Sequence, residues 1–294
     1  MQLNKHGSFY IRNGWPTKII DAVEESAVIF SPNNELAAVD QIGVGRVMIK
    51  SMRYWGTVIG ITREQKEQHG VTQRLTELGE DVRGYDPYCQ ARGTLWLIHR
   101  NLARAEDEAT AWWWAFNEYM PKVFSKETFT EAFYAYLKKQ GEKYIRKTVD
   151  REFDCLKNTY VSEKSFDAHK VIDEDTIPFL APLNLIEYLG NGQYEKRKVK
   201  ARDIPLDILL YCILEDNSDT LCENAQIDLD KLLQGEKQVG RYMNLSYSVL
   251  LELLQQLENR KKLTLVNNFG SRYIQLVDNN PSMVLTEYYA GIAR

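Results

Sequence analysis

Apolar positions recur at three- and four-residue spacing along most of the chain, and strict alternation is confined to short stretches. The pattern predicts a mainly α protein with small β-hairpins, organised as tandem helix-turn-helix or winged-helix-like modules. Trp15-Pro16 opens a helix with proline in its first turn and Ile19, Ile20 and Val23 on its apolar face. Ser31-Pro32 starts a second helix running into Leu36 and Val39. Gly43-Val44-Gly45 breaks the chain, and a longer helix follows with Val47, Met48, Met52, Trp55, Val58 and Ile59 inward. Its opposite face carries Arg46, Lys50, Arg53 and Thr57 at offsets of four, three and four, so these side chains project together. Helix, glycine turn and basic helix make a helix-turn-helix pattern, with Val71 to Gly79 as a short wing strand that then turns.

From Thr94 to Tyr119 the pattern is helical and aromatic, and it includes the run Trp112, Trp113, Trp114. Successive helical residues point about 100° apart, so three consecutive tryptophans cannot share one core. At least one is expected to pack on a neighbouring module or a partner chain. Glu106, Asp107, Glu108 and Glu118 flank the aromatics and weigh against base stacking.

Ser125 is an N-cap for a helix with Phe129, Phe133, Tyr136 and Leu137 on one face, ending at Gln140-Gly141. The next helix turns Ile145, Val149, Phe153, Leu156 and Tyr160 inward and Lys143, Arg146, Lys147 and Arg151 outward, diluted by Glu142, Asp150, Glu152 and Asp154. Asn191-Gly192 between two strand-like runs predicts a type I′ hairpin. Lys196, Arg197, Lys198, Lys200 and Arg202 make that hairpin basic, either as a wing on DNA or as charges guarding an edge strand. A last group follows. It comprises a helix from Ile204-Pro205, a short helix at Leu229 to Leu233, a helix from Leu245-Ser246, and strands at 263–266 and 272–277. The outer face of its third helix, Ser248, Glu252, Gln255, Gln256 and Asn259, is neutral to acidic and suits a protein partner or a homodimer better than phosphates. The expected boundaries are 1–120, 121–202 and 203–294.

Charge refines this reading. A net charge of −4 over 294 residues excludes a general nucleic-acid coating protein. Between Gly43 and Arg74, however, Arg46, Lys50, Arg53, Arg63, Lys66 and Arg74 face only Glu64 and Glu67. The longest strongly apolar run, Ile208 to Leu214, is far below the roughly 20 residues of a membrane span. Met1 to Tyr10 lacks the apolar core of a signal peptide, so a cytoplasmic location is expected. Cys89, Cys155, Cys212 and Cys222 show no metal-ligand spacing and read as free thiols, with no metal or cofactor expected.

Chemistry is not evident. No phosphate loop or nucleophile elbow occurs. His6, His69, His99 and His169 are isolated, and His99 reads as a core histidine. Glu64-Gln65-Lys66 matches a short acid-x-lysine element of nucleases, with Asp40 upstream, but it is expected beside a helix-turn-helix rather than on paired strands. The expectation is a protein that is not an enzyme.

Several stretches, in order, resemble the bacterial and archaeal family of domain of unknown function 4007. They are Phe9 to Trp15 with Lys18, Gly43 to Trp55, Leu75 to Gly79, Asp86 to Tyr88 with Thr94 to His99, Ala111 to Trp113 with Phe116-Asn117, and Ala181 to Leu183. Pro16 and Cys89-Gln90 depart from the family pattern. The resemblance implies a component of prokaryotic defence islands, often beside phosphosulfate-reductase-like and cysteine-desulfurase genes of DNA sulfur modification. It brings no catalytic residues. The implied partners are double-stranded DNA, a sulfur-transfer enzyme and an ATPase. The expected role is a DNA-binding accessory subunit, with Arg46, Lys50, Arg53, Arg74, Lys143, Arg146, Lys147, Lys196, Arg197 and Lys198 on DNA and Trp112, Trp113 and Trp114 toward a partner. The alternatives are an interaction scaffold and a transcriptional regulator.

Overall fold

Helices built from the expected apolar stripes dominate the computed structural model, which describes residues 1–67, 70–161, 177–223, 226–268, 270–277 and 280–292. His69 and His169 lie outside the described residues. Three small antiparallel sheets complete the fold, which is therefore mixed, mainly α with a minor β component.

The chain opens with α1 (Trp15–Glu25), α2 (Glu35–Ile42) and α3 (Arg46–Val58). Gly43 ends α2 in the left-handed region at φ 74°, where a side chain is disfavoured, and its amide donates to the Val39 carbonyl at 3.0 Å. In α3 the buried stripe is Ile49, Met52, Trp55, Gly56 and Val58. Strands β1 (Thr62–Glu67) and β2 (Gly70–Leu75) pair as a hairpin. The expected wing strand stops at Leu75, because the Thr76 side chain accepts from the Gly79 amide at 3.0 Å and nucleates α4 (Glu77–Tyr85). The long aromatic segment is two helices, α5 (Arg92–Arg104) and α6 (Thr110–Asn117).

Next come β3 (Val123–Ser125), α7 (Lys126–Lys139), α8 (Arg146–Tyr160), β4 (Ile186–Gly190) and β5 (Gln193–Lys196). Ser125 and Thr128 form a reciprocal capping box at the start of α7. Asn191 and Gly192 both have positive φ, 51° and 73°, as a type I′ turn requires. The hairpin is not a free ribbon: the sheet order is β3-β5-β4, so β5 is the central strand rather than an edge.

The last segment contains α9 (Leu206–Asp216), α10 (Ser218–Glu223), β6 (Gln226–Asp228), α11 (Leu229–Gln234), α12 (Val239–Tyr242), α13 (Tyr247–Asn259), β7 (Leu263–Asn268), β8 (Ser271–Leu276) and α14 (Pro281–Ile292). Its sheet runs β6-β8-β7.

The buried side chains of all three segments join one core. Helix α5 lies in its centre, buried from Gly93 through Arg100. Gly93 and Thr94 meet the hydroxyls of Tyr288 and Tyr289 on α14, each at 3.0 Å. Trp96 donates to the Asp203 carbonyl at 3.0 Å.

His99, fully buried, reaches Tyr160 of α8 at 2.8 Å and the Tyr242 carbonyl at 2.7 Å. A carbonyl can only accept, so Nε2 carries the hydrogen and Nδ1 accepts from the Tyr160 hydroxyl. Burial pushes His99 down to about 4. The unfolded chain therefore takes up a proton that the folded chain refuses. The neutral imidazole stabilises the fold fully above about pH 6.5, and that share is lost as pH falls toward 4, by about 3 kcal/mol. Urea unfolding across this range should show a shallower pH dependence in His99→Gln than in the wild type. Matching profiles would show that His99 titrates normally.

Four expectations fail locally. Leu36, Val47 and Ile145 are 62%, 55% and 69% exposed. Each sits at the N-terminal end of its helix, before the first buried position of the stripe. Glu152, expected on the outer side of α8, is buried and accepts from the Asn4 amide at 2.5 Å and from His6 at 3.1 Å.

Candidate nucleic-acid interface

The basic face of α3 forms as the spacing predicts, but tertiary contacts neutralise much of it. Arg46 and Lys50 are 64% and 70% exposed and share one carboxylate, Glu35 at the start of α2, at 3.9 and 3.3 Å. Arg53 is engaged: its Nε and Nη2 donate to the two oxygens of Glu64 on β1 at 2.6 and 2.9 Å. This bidentate pair raises Arg53 and holds Glu64 below the usual carboxylate range. Lys50 and Arg53 line a groove of about 610 Å³ together with Lys5, Glu35, Glu64 and Glu108, so its charges balance.

Glu64-Gln65-Lys66 lies on paired strands, not beside them, which removes the stated ground for setting it aside. Glu64 is instead committed to Arg53 and Gln73, and Asp40 is exposed on α2. Among the described residues no three of His, Cys, Asp and Glu are grouped to hold a metal ion. Cys89, Cys155 and Cys212 are buried free thiols.

Arg74 pairs directly across the β1–β2 hairpin from Arg63. Like charges in opposite register repel. Glu67, at 3.5 Å from Arg74, relieves part of that repulsion. This juxtaposition escapes sequence reading unless the register of the hairpin is known.

On the second helix pair, Lys147 and Arg151 are exposed one turn apart on α8, whereas Lys143, also exposed, lies in the connection before that helix rather than on it. Arg146 is tied to Asp150 at 3.3 Å and to the Thr130 hydroxyl at 2.8 Å.

The hairpin cations are engaged by the protein, against expectation, although Arg197 and Lys198 stay partly exposed. Lys196 donates to the carbonyls of Ala115 and Tyr119 and sits 5.0 Å from the centre of the Tyr119 ring. Arg197 pairs with Glu187 on the neighbouring strand. Lys198 donates to Asn244 Oδ1 and the Leu245 carbonyl, both at 3.0 Å. The physical reason is that β5 is a central strand whose Tyr194 packs on Phe124 of β3 and Phe153 of α8, and Lys196, two residues on, projects from the same face toward the end of α6. Period-two alternation from the buried Tyr194 was the available signal.

The three tryptophans are all buried, at 0%, 3% and 5% exposure, which leaves no surface for a partner chain. They serve three different parts of one core instead. Trp112 packs edge-on to Trp55 at 5.3 Å, and Trp113 donates to Glu236 of the last segment at 3.1 Å. Trp114 meets Phe129 and Phe133 of α7 at 5.2 and 4.9 Å.

No helix among the described residues is long and apolar enough to cross a membrane. Two solved structures share the fold: a magnesium-ion-bound crystal structure of SspB and a second crystal structure of SspB. Each has a TM-score of 0.81 and 23% identity over 99% of this chain and 88% of the other. At that identity the likeness shows the fold alone. None of the curated proteins matches the chain. The model of the family described as "Protein of unknown function (DUF4007)" matches residues 3–289, and the chain belongs to that family.

Proposed function

We propose that this chain is a DNA-binding accessory subunit, without chemistry of its own, of a prokaryotic DNA-modification system of the phosphorothioation type or of an antiphage defence system. The carrying observation is that Arg46 and Lys50, more than 60% exposed at the start of α3, share a single carboxylate. A duplex phosphate is a stronger partner for such a pair than one partly shielded glutamate. The order α1 to α3 with the β1–β2 hairpin, and helices α9 to α13 interrupted by β6 and followed by β7 and β8, supports a winged-helix-like reading of both groups. The exposed Lys143, Lys147 and Arg151 supply a second set of backbone contacts. The system itself rests on the family resemblance.

A second reading is an interaction scaffold for a phosphosulfate-reductase-like enzyme, a cysteine desulfurase or an ATPase. It is favoured by α13, whose Ser248, Glu252, Gln255, Gln256 and Asn259 are exposed and carry no cation.

Duplex affinity measured against salt tests the first reading. Each neutralised phosphate contributes a slope near −0.9, so the Arg46→Ala/Lys50→Ala double variant should flatten the slope by about two units. Arg53 is left intact, because its removal strands Glu64. Folding should be unchanged, since exposed pairs contribute little. An unaltered slope would move the contact to Lys143 and Lys147. No duplex binding by the intact chain would leave the scaffold in front.

A further inference from the structure

A cleft of about 500 Å³ separates β5 from the start of α13 and lies apart from the basic face of α3. Its lining includes Lys196, Lys198 and Arg241 and, among the described residues, no aspartate or glutamate. That contrasts with Arg53, Arg83 and Arg197, which pair with Glu64, Glu24 and Glu187.

The donors of these three cations go to neutral acceptors. Lys196 uses two backbone carbonyls, and Lys198 uses an amide oxygen and a carbonyl. Arg241 spends Nε on the Gln234 carbonyl at 2.8 Å and Nη1 on the sulfur of Met120 at 2.8 Å, a weak acceptor. The guanidinium thus keeps donors for a further ligand.

The three charges also disfavour one another. Burial, then the charges of Lys198 and Arg241, lowers Lys196 to about 7, and burial followed by Arg241 lowers Lys198. An anion between them would remove that penalty.

Two further features of the lining fit a particular anion. Ser246 and Tyr247 belong to the cap and first turn of α13, a helix of 13 residues whose first amides have no intrahelical acceptor. Tyr247 is half-buried and places a ring beside the charges, with the Arg272 guanidinium 5.2 Å from its centre. The volume falls within the roughly 300–1,000 Å³ of small-ligand sites.

We propose that this cleft binds the phosphate group of a nucleotide, held by Lys198, Arg241 and the first turn of α13, with the nucleoside against Tyr247. The phosphate comes either from a free nucleotide or from a nucleic-acid strand; the recognition chemistry is the same. The inference does not depend on α3 meeting a duplex.

Titration calorimetry on the full chain with pyrophosphate, adenosine monophosphate and a short oligothymidylate tests it. Saturable binding at one site is expected, weakened about tenfold or more by Lys198→Gln and by Arg241→Gln, the worth of a charge-assisted hydrogen bond. The Arg46→Ala/Lys50→Ala variant should bind these probes as the wild type does, which separates this site from the α3 face. Binding of pyrophosphate or the mononucleotide identifies a free-ligand site. Binding of the oligonucleotide alone, sensitive to the same two substitutions, identifies a strand phosphate. Ser246→Asp keeps the helix cap while adding a carboxylate to the cleft, so it should also repel the probe and serves if a cation variant misfolds. Absence of binding by all three probes, or binding indifferent to every cleft substitution, would overturn the proposal.

Discussion

Asp216→Ala is expected to destabilise the fold by about 3–5 kcal/mol, because it removes a buried carboxylate that balances the nearly buried Arg100 and the partly buried Arg104. Asp216 ends α9 with its side chain at 0% exposure. It accepts from Arg100 Nε at 2.7 Å and Nη2 at 2.6 Å, and Arg104 lies at 3.1 Å. Its other oxygen accepts from the Tyr242 hydroxyl at 2.6 Å. Alanine would leave the Arg100 side chain, 10% exposed, charged and without a counter-ion. Asp216→Asn keeps the shape and one acceptor but not the charge, so its loss should be smaller. Urea unfolding of both variants checks the order. A loss below about 1 kcal/mol for alanine would show that solvent already screens the pair. The same contacts bear on a fragment beginning at Asp203. It would carry Asp216, Tyr242 and Tyr289 away from Arg100, His99 and Thr94, all on α5. Such a fragment is expected to be unstable, although the last segment reads as a self-contained module in sequence.

What was legible follows from which interactions are local. Ser125 before a Phe129-Phe133-Leu137 stripe, Asn191-Gly192 between two strands, and the Leu250 to Leu257 face of α13 each depend on a few neighbouring residues, and each forms as expected. The outward face of Arg46, Lys50 and Arg53 was equally legible as a face. Its net charge was not, because Glu35 arrives from the preceding helix and Glu64 from a strand eleven residues on. The helix α14 was missed: its Val284, Leu285, Tyr288 and Tyr289 acquire meaning only against α9 and α5. The cleft cations were visible as a basic run, Lys196 to Lys198, but only the fold adds Arg241 and excludes carboxylates from the lining. Charge faces are sequence properties; charge balance is a tertiary one.

Trp112→Ala should cost about 3–5 kcal/mol, the range for emptying a buried aromatic site. Trp112 has no exposed surface and sits edge-on to Trp55 at 5.3 Å and His6 at 5.8 Å. Around it the N-terminal residues fold back onto α3: Trp55 donates to the Phe9 carbonyl at 2.9 Å, and Ser51 donates to the His6 carbonyl at 2.9 Å. A void there is not readily filled by one neighbour, because these hydrogen bonds pin α3 to the N-terminal turn, and the Gln2 amide donates to Thr110 of α6 at 3.3 Å. Among the described residues the indole N–H of Trp112 has no acceptor, whereas that of Trp113 is bonded to Glu236. Trp112→Phe therefore removes an unsatisfied donor along with some volume, and its loss should be well below that of alanine. The measurement also separates core from interface. A tryptophan held out for a partner chain would give an alanine variant with unchanged monomer stability and weakened association. A stability loss of the size stated, seen in dilute chain alone, is the expected result, and an unaltered unfolding midpoint would return Trp112 to the surface.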